Sequence, residues 1–553
     1  MRKLGRLLLP FVVTFAVFYP FAIRGLDIHH DGTAFKPALD VANGQTLFSD
    51  TFTQYGPLTT WIQAVFINLF GPSIYSIKLA TVLFYSMSAV ILVEIWSMLL
   101  SRRLAWISLL IWISLAPFLA PNLVFLPWSS VYALFFQLLA AFLFFQALFF
   151  LDQEKNHRVS LAAFFSGVSC VLTFWCRQPI GIVLTLGLGG VAFLHLLTHF
   201  KSKSAWQFAG FFKLGALVTL GGVLAYFYFR GSLGFWIAQT IEWPAQWAKG
   251  TGGTTFGNVS GLLLRRRNET LWLLVALLLS RPLLIWLSKK SENTANIAAA
   301  AVGFALFWRC LKPFYQAGFF TLIPLFALVM TAGLLWKERK NIPWHLLAWL
   351  ALTVSSWAQF YPMNDPRHVY WAITPGIGLF VYWLHRWLGS QRRWTWTLVS
   401  VWLLGNLVWL GPGTYQKLTR DYAVGNFASV KGLLLLPIQA TALEPLFAAI
   451  RTAGKLTGPR PIVIEGPDAF YSTFTDRLEN SNRIPQIWKN TGLHETHFDA
   501  QGMAFIQKNH PWIISESTTT HFTRPPGLEA YQNTVTISDP NQGWETTLWI
   551  FKD

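Results

Sequence analysis

Apolar runs separated by short polar stretches make up most of the first 411 residues. A helix needs about 20 apolar residues to cross a bilayer, and thirteen runs, give or take two, approach that length. Each run therefore predicts a membrane-spanning helix. The runs lie near residues 4–23, 76–100, 104–120, 128–150, 160–176, 179–198, 208–229, 270–288, 296–311, 318–336, 343–360, 371–388 and 394–411.

The pattern of the chain changes after residue 411. Short β-branched and aromatic runs in "LTGPRPIVIEGPDAFYS", "HPWIISES" and "GWETTLWIF" are separated by Gly, Pro and Asn, and residues 439–453 have a helical pattern. This mixture predicts a small soluble α/β domain. The chain is thus predicted to divide into residues 1–411, an all-α polytopic membrane domain of about 11–13 transmembrane helices, and residues 412–553, the α/β domain.

The loop between the first two predicted spans, residues 24–73, carries short helices of its own. The run "AFKPALDVAN" predicts a helix over residues 34–43, and "PLTTWIQAVFINLFG" predicts a second helix that begins at Pro57 and has one apolar face. The second helix is too short to cross a bilayer and is expected to lie at its surface. The two helices would hold a group of titratable side chains at the level of the headgroups: Asp27, His29, His30, Asp31, Asp40 and Asp50.

Composition supports a membrane protein and argues against other classes. Hydrophobic residues make up 53% of the chain and charged residues only 12%, which is not typical of a soluble globular protein. The net charge is +18, but the basic residues lie in pairs and triplets between apolar runs, as topology signals do. This distribution argues against binding of nucleic acid. The three cysteines have no metal-binding spacing.

The basic residues also predict the orientation of the chain. With the N-terminus in the cytoplasm, most of them fall on the cytoplasmic side, as the positive-inside rule requires. An odd number of spans then places loop 24–73 and the C-terminal domain on the extracytoplasmic side. The first apolar segment lacks a small-residue cleavage site, so we interpret it as a span, and we expect an integral protein of the bacterial inner (cytoplasmic) membrane. The few basic residues expected on the outer side include Arg177, Arg265, Arg266, Arg267, Lys312 and Arg367.

Carboxylates and cations together at a membrane surface suit the chemistry of lipid-linked sugars. Polyprenyl phosphate is a weak base and leaves without being protonated, so one carboxylate suffices as the general base for an incoming hydroxyl group. The departing phosphate requires positive charge, which the outer basic residues would supply together with His368. His29 and His30 are expected to form hydrogen bonds with a substrate or to pack at the interface.

Three motifs resemble those of the integral-membrane GT-C glycosyltransferases, in particular the branch of the protein O-mannosyltransferases and the lipid A aminoarabinose transferase. "HHDGTAF" occupies the place of the acidic motif after the first span, and "SDTFTQYGPL" resembles the second motif of the first loop. "FYPMNDPRHVYWAITPGIGLF" resembles the late outer motif, in which Arg or His and Tyr precede a helix that contains Pro.

This resemblance implies an activity and roles for individual residues. It implies an inverting transfer of a sugar from a polyprenyl-phosphate donor to a glycan, lipid or protein acceptor, without a cofactor. Asp31 would be the general base and Asp50 a second catalytic candidate. The resemblance and the expected outer-face placement together give the substrate-binding candidates His29, His30, Tyr55, Arg177, Arg265, Arg266, Lys312, Arg367, His368 and Tyr370. The family often has Asp-Glu where this chain has Asp31-Gly32, which leaves open whether Asp27 supplies a second acid.

Structural roles for the acidic residues stay open at this stage. Asp31 and Asp50 are also able to cap the short helices of the loop, and we interpret Asp27 and Asp40 as structural. A divalent metal ion at the histidine pair is not favoured, because adjacent residues do not share a helical face.

The alternative function is a polytopic transporter or flippase of lipid-linked or envelope precursors. Carriers usually place ionisable residues in the middle of the membrane and contain repeated halves, and neither feature is evident here. A non-catalytic envelope assembly protein would leave the acids of the first loop unexplained. The arginines at 265–267 are equally well suited to hold anionic lipid headgroups.

Overall fold

The structure, a computed structural model, describes residues 2–120, 122–242, 244–245, 261, 267–308, 318–337, 343–360, 365–389, 393–425, 427–457, 462–465, 500–517, 529–539 and 544–551. The helices within these residues are α1 (Arg2–Ala22), α2 (Ile28–Ala42), α3 (Pro57–Phe70), α4 (Ile74–Ser97), α5 (Arg102–Ser114), α6 (Ser129–Asp152), α7 (Asn156–Cys176), α8 (Gln178–Thr198), α9 (Lys203–Phe229), α10 (Leu233–Ile237), α11 (Arg267–Ser288), α12 (Glu292–Leu306), α13 (Gly318–Lys337), α14 (Trp344–Ser356), α15 (Pro366–Leu388), α16 (Trp394–Thr419), α17 (Pro437–Thr457) and α18 (Ala500–Asn509).

Each of the thirteen predicted spans overlaps one of these helices, although α5 and α14 have only 13 residues each. The agreement has a physical cause, because a backbone inside a bilayer must satisfy its hydrogen bonds within the segment, and an apolar run of sufficient length does so as a helix. Among the described residues, α4, α6, α7, α8 and α9 are each long and apolar enough to cross a membrane on length and composition alone. The chain is therefore a polytopic helical membrane protein with an α/β domain at its C-terminal end.

Aromatic side chains fill the centre of the bundle and tie its helices together. Trp112 of α5 donates a hydrogen bond from Nε1 to Thr374 Oγ1 of α15 at 3.0 Å, and Trp371 of α15 donates from Nε1 to Tyr85 of α4 at 2.8 Å. These indole N–H groups are buried, so each needs a partner inside the bundle. They fix α15 against α4 and α5.

The first loop contains both predicted short helices, although α2 begins earlier than predicted. The sequence pattern predicted a helix over residues 34–43, whereas α2 begins at Ile28, directly after its N-cap residue Asp27. The carboxylate of Asp27 accepts a hydrogen bond from the backbone N–H of His30 at 2.9 Å, and this cap adds a turn whose residues have only weak helix propensity. As a result, Asp31 lies in the first turn of a helix.

The second loop helix, α3, spans Pro57–Phe70 and has the predicted bounds and an apolar outer face. Val65, Leu69 and Phe70 are exposed on it, while Gln63 and Ile67 are buried against the bundle. An exposed apolar face beside a membrane-spanning bundle suits contact with lipid at the bilayer surface.

The C-terminal domain contains the predicted mixture of strands and helices. The strands are β1 (Ala423–Val424), β2 (Leu434–Leu435), β3 (Ile462–Glu465), β4 (Trp512–Ser517), β5 (Tyr531–Asp539) and β6 (Trp544–Phe551). The pair β1–β2 is antiparallel, and the other four form a sheet of order β3-β4-β6-β5 in which β3 and β4 are parallel. The last bundle helix, α16, runs to Thr419, beyond the predicted boundary at residue 411. It continues through Pro412, because a membrane helix tolerates a proline when neighbouring groups satisfy the backbone hydrogen bonds that it frees.

The C-terminal domain packs directly on the first loop. One apolar cluster contains Phe35 and Leu39 of α2, Ile67 of α3, Phe447 of α17 and Trp512 of β4. The loop and the domain therefore lie at the same end of the helical bundle, as predicted from the odd number of spans.

Candidate functional site

Asp31 and Lys78 form a fully buried ion pair at this end of the bundle. Both side chains are 0% exposed, and Lys78 Nζ lies 2.9 Å from Asp31 Oδ2. The same carboxylate oxygen accepts the backbone N–H of Asp27 at 3.0 Å, and Lys78 Nζ also donates to the backbone carbonyl of Gly25 at 3.1 Å. Asp31 Oδ1 is buried and has no hydrogen-bond partner among the described residues. One oxygen of this carboxylate is thus held in place, while the lone pairs of the other accept no hydrogen bond from the described residues.

The surroundings of Asp31 tune its acidity towards the neutral range. Burial raises the pKa of Asp31 to about 6, the Lys78 ammonium opposes this rise, and the charge of Asp27 adds to it. A carboxylate with a pKa just below neutrality is ionised at pH 7 and is a stronger base than an exposed one.

Asp27 lies beside Asp31 and stays ionised. Burial alone would raise the pKa of Asp27, but hydrogen bonds from the backbone and ring nitrogens of His30, and the charge of Arg367, outweigh it and hold the pKa well below the usual range. The ring Nδ1 of His30 lies 3.0 Å from Asp27 Oδ1. The charge of Arg367, at the start of α15, therefore acts on Asp27 at the start of α2.

Trp128, just before α6, joins the histidines and an arginine from separate parts of the chain. Its ring centroid lies 4.8 Å from that of His30 and 5.2 Å from that of His368, and the guanidinium carbon of Arg367 lies 5.5 Å from the ring centroid. Sequence reasoning missed this residue because the chain contains 28 tryptophans, most of which are expected to be interfacial anchors. The signal was its position directly after Pro127, at the outer start of a predicted span.

Arg177, between α7 and α8, brings a second cation to the same region. It donates from Nη1 to Ser130 Oγ at 2.6 Å, and its side chain is buried. Burial raises the pKa of Tyr55, and the charge of Arg177 partly offsets this rise. Gly56, next to Tyr55, packs closely on the end of α7, since an added Cβ would lie 2.0 Å from the carbonyl oxygen of Trp175.

Asp365 completes the connection between Arg177 and α15. It is the N-cap of α15, where it accepts the backbone N–H of Arg367 at 2.7 Å, and it also pairs with the ring of His368. Burial would raise the pKa of Asp365, but its bonds to His368 and Arg367 lower it to about 2. Its charge acts on both Tyr55 and Arg177.

These side chains form one connected group, which we call the outer cluster. It consists of Asp27, His30, Asp31, Tyr55, Lys78, Trp128, Arg177, Asp365, Arg367 and His368. Six of its members, namely His30, Asp31, Tyr55, Arg177, Arg367 and His368, were predicted site residues. Its three carboxylates are balanced by three permanent cations. Such an arrangement can bind an anionic group if a cation is released from its carboxylate.

Other predicted site residues lie elsewhere. Asp50 is exposed and accepts the backbone N–H of Thr46 at 2.8 Å, so it caps a turn of the loop. Tyr370 lies in the aromatic core, where its ring stacks on that of Trp112 at 5.7 Å. His29 packs edge to face on His30, with ring centroids 4.7 Å apart, at the margin of the outer cluster. The predicted cations Arg265, Arg266 and Lys312 lie outside the described residues.

The remaining acid of the first loop, Asp40, has a structural environment. It is buried in α2, pairs with Lys36 one turn before it, and accepts a hydrogen bond from Thr51 Oγ1 at 2.6 Å. This agrees with its interpretation from the sequence. The part of the chain that the structure describes holds no group of three or more His, Cys, Asp or Glu side chains arranged for a metal ion.

The sequence matches no protein-family model and no curated protein. The structure, however, is similar to solved structures. One is ArnT from Cupriavidus metallidurans in the apo state, with 11% sequence identity and a TM-score of 0.52, over 100% of this chain and 99% of that chain. ArnT from the same organism bound to undecaprenyl phosphate has 12% identity and a TM-score of 0.49, over 99% of this chain and 98% of that chain. The Archaeoglobus fulgidus oligosaccharyltransferase in complex with Zn and sulfate has 11% identity and a TM-score of 0.49, over 92% of this chain and 68% of that chain.

The likeness to apo ArnT extends over nearly the whole length of both chains. It confirms the predicted fold, a polytopic helical bundle followed by a C-terminal domain.

Proposed function

We propose that this chain, which has the fold of the GT-C glycosyltransferases, transfers a sugar from a polyprenyl-phosphate donor to an acceptor at the outer cluster. The observation that carries the proposal is the buried Asp31–Lys78 pair, in which a carboxylate with one unpartnered oxygen touches a cation. A base and a phosphate-binding cation side by side are the two groups that this transfer requires.

Asp31 is the general base in this proposal. Its Oδ1 takes the proton of the acceptor hydroxyl group while the acceptor oxygen attacks the anomeric carbon of the sugar. The bond from that carbon to the phosphate oxygen breaks, and its electron pair leaves with polyprenyl phosphate. Attack from the side opposite the phosphate inverts the anomeric carbon, and no group has to protonate the leaving phosphate because it is already a weak base.

Lys78 and Arg367 bind the donor phosphate in this proposal. Lys78 reaches the reaction centre through its contact with Asp31, and Arg367 lies over the Trp128 ring, from where its charge acts on Asp27. When the phosphate arrives, Lys78 shifts its interaction from the carboxylate to the phosphate, and Asp31 becomes free to accept a proton. An arginine is able to hold two phosphate oxygens at once, which also fixes the orientation of the donor.

The sugar and the acceptor bind beside these groups in this proposal. The rings of Trp128 and His30 provide the aromatic faces on which a sugar packs. The acceptor is a glycan, a lipid or a protein, and the reaction proceeds without a cofactor. The exposed apolar face of α3 and the bundle itself keep the site at the bilayer, where a lipid-linked donor resides.

A turnover assay tests this function. The purified chain in lipid nanodiscs is incubated with synthetic undecaprenyl phosphates that carry glucose, mannose, arabinose or aminoarabinose, together with a bacterial envelope extract as the acceptor source. Release of undecaprenyl phosphate is measured by mass spectrometry. We expect release from at least one donor that depends on both the protein and the extract. No release above a heat-denatured control with any of the donors would contradict the proposed function.

The outer cluster is expected to face the extracytoplasmic side of the bacterial inner membrane. The motive is the distribution of basic residues, which favours a cytoplasmic N-terminus. In a Cys310→Ser background, Asn43→Cys on the first loop and Gln532→Cys on β5 should both react with a membrane-impermeant maleimide in intact cells, and Lys155→Cys should not. These three positions are exposed, and the two described native cysteines are buried. Labelling of Lys155→Cys without the other two would reverse the orientation.

Turnover is expected to rise with pH through about 6, because burial raises the pKa of Asp31 to about 6 and only its ionised form accepts a proton. The raised pKa of Asp31 affects stability in the opposite direction. The folded state binds this proton more tightly than the unfolded chain does. The contribution of Asp31 to the free energy of unfolding therefore falls as the pH rises from the ordinary pKa of an aspartate towards 6. The rate profile of the wild type is compared with that of His30→Gln, which should keep the rise. Loss of the rise in His30→Gln would assign it to the histidine.

Replacing Arg367 with alanine is expected to weaken binding of the donor by roughly 10- to 100-fold, because a bidentate charge-assisted contact with the phosphate is lost. The side chain is only half-buried, so thermal stability should change little. Binding of undecaprenyl phosphate is measured by native mass spectrometry, with Arg367→Lys expected to lie between alanine and the wild type. Equal binding by Arg367→Ala and the wild type would remove this residue from the phosphate site.

A further inference from the structure

A short segment before α2 connects the C-terminal domain to the outer cluster. We call residues 23–27 the strap, because they join α1 to α2 and lead directly to Asp31. On one side the strap pairs with β2. The backbone N–H of Leu434 donates to the carbonyl of Ile23 at 2.7 Å, and the N–H of Gly25 donates to the carbonyl of Leu434 at 2.8 Å.

Gln439, at the start of α17, holds the next residue of the strap. Its Nε2 donates to the carbonyl of Leu26 at 2.5 Å, and its Oε1 accepts the backbone N–H of Leu26 at 3.4 Å. The same oxygen accepts the N–H of Leu436 at 3.3 Å, which fixes the amide relative to β2. One side chain of the C-terminal domain thus binds both backbone groups of Leu26.

The other side of the strap contacts the buried ion pair. The carbonyl of Gly25 accepts a hydrogen bond from Lys78 Nζ at 3.1 Å, and the N–H of Asp27 donates to Asp31 Oδ2 at 3.0 Å. Gly25 has a φ of +79°, a conformation in which a side chain would be strained, so the strap turns sharply at the residue that touches Lys78. Leu434 therefore holds Gly25, the residue that contacts Lys78. Gln439 holds Leu26, which lies between Gly25 and Asp27, the residue that contacts Asp31.

We infer that the C-terminal domain is part of the catalytic machinery and that Gln439 is a positioning residue, which holds the strap and through it the Asp31–Lys78 pair. This inference rests on the proposed function of the outer cluster. Docking of the domain does not need Gln439, because the apolar cluster around Phe447 and Trp512 already buries the domain on α2 and α3. A glutamine that binds both backbone groups of one residue instead restricts where that residue lies.

The first measurement compares Gln439→Leu with Gln532→Leu, a matched substitution at an exposed position on β5 of the same domain. Gln439→Leu should lower kcat roughly 10- to 100-fold, the effect of small misplacement of a reacting group. KM for the donor should change by less than about three-fold, since the lost interaction does not touch the donor. Gln532→Leu should leave both values unchanged. A kcat for Gln439→Leu equal to that of Gln532→Leu would overturn the inference.

The second measurement separates positioning from a general loss of structure. If Gln439 acts through Asp31, Gln439→Leu should have no effect on the residual rate in an Asp31→Asn background. The pH profile of Gln439→Leu should also differ from that of the wild type, because the charged groups that act on Asp31 are Lys78 and Asp27, and the strap carries or contacts both. An equal proportional loss in the presence and absence of the Asp31 carboxylate, with an unchanged profile, would show that Gln439 is merely structural.

These outcomes also distinguish failure of the inference from failure of the proposed function. If the wild type releases undecaprenyl phosphate and Asp31→Asn does not, the function holds, and Gln439→Leu alone decides the role of the domain. If the wild type shows no transfer, the function itself is wrong. If Asp31→Asn keeps full activity, Asp31 is not the general base. In either case the positioning role of Gln439 is overturned as well.

Discussion

Replacing Asp31 with asparagine is expected to lower turnover by roughly 10² to 10⁴, the usual contribution of a positioned general base. Asparagine has nearly the same size as aspartate, and its carbonyl oxygen still accepts the N–H of Asp27 and a hydrogen bond from Lys78, but its basicity is lost. Lys78 keeps the carbonyl of Gly25 as a second acceptor, which favours a folded protein. Turnover is measured per folded molecule, with the folded fraction taken from thermal unfolding.

The matched control for this substitution is Asp40→Asn. Asp40 is also buried in α2 and also pairs with a lysine, Lys36, but it has no contact with the outer cluster among the described residues. Asp40→Asn should lose stability and keep its turnover per folded molecule, whereas Asp27→Asn, at the edge of the cluster, should lose less than Asp31→Asn. If Asp31→Asn retained near-full transfer while Asp50→Asn abolished it, the general base would be Asp50.

Replacing Lys78 with methionine is expected to abolish turnover near neutral pH and to move the rise in the pH profile to higher pH. The ammonium of Lys78 lowers the pKa of Asp31, so its removal lets burial raise that pKa further and leaves the carboxyl group protonated. A buried carboxylate without its cation costs about 3–5 kcal/mol of stability, and uptake of a proton by Asp31 recovers part of that loss. In the proposed site the donor phosphate also loses one of its two cations.

The test of the Lys78 substitution measures turnover between about pH 6 and pH 9 together with thermal stability. Lys36→Met is the matched control, because it removes the lysine of the other buried pair on the first loop. It should lower stability without moving the pH profile. A Lys78→Met protein with the wild-type pH profile and turnover would show that Lys78 neither lowers the pKa of Asp31 nor binds the donor phosphate.

The bundle could be predicted almost completely from sequence because the bilayer imposes one solution. Every predicted span overlaps a helix among the described residues, and α3 has its predicted bounds. The start of α2 was predicted six residues too late, since His29, His30 and Gly32 form helices weakly and only the cap at Asp27 and burial against the bundle overcome this. The end of α16 was predicted too early for a related reason, because apolar pattern alone does not show where a helix that leaves the membrane will stop.

The outer cluster was only partly predictable. The acids were found because carboxylates are rare in this chain. The cations were found because few basic residues are expected on the outer side of the predicted spans. Lys78 was missed because it lies inside an apolar run. Its signal was a lysine at the predicted outer end of a span, where the positive-inside rule disfavours one. Gln439 was missed because it contacts Leu26, 413 positions away, and no local sequence pattern indicates a contact between residues so far apart.

A structure of the chain with bound undecaprenyl phosphate tests the central claim most directly. Cryo-electron microscopy in nanodiscs should show the phosphate within hydrogen-bond distance of Lys78 and Arg367, with the Asp31–Lys78 contact of 2.9 Å lengthened or broken. The unpartnered Oδ1 of Asp31 should then face the space on the far side of the sugar position. A phosphate bound elsewhere, with the buried pair intact, would contradict the assignment of the outer cluster as the site of transfer.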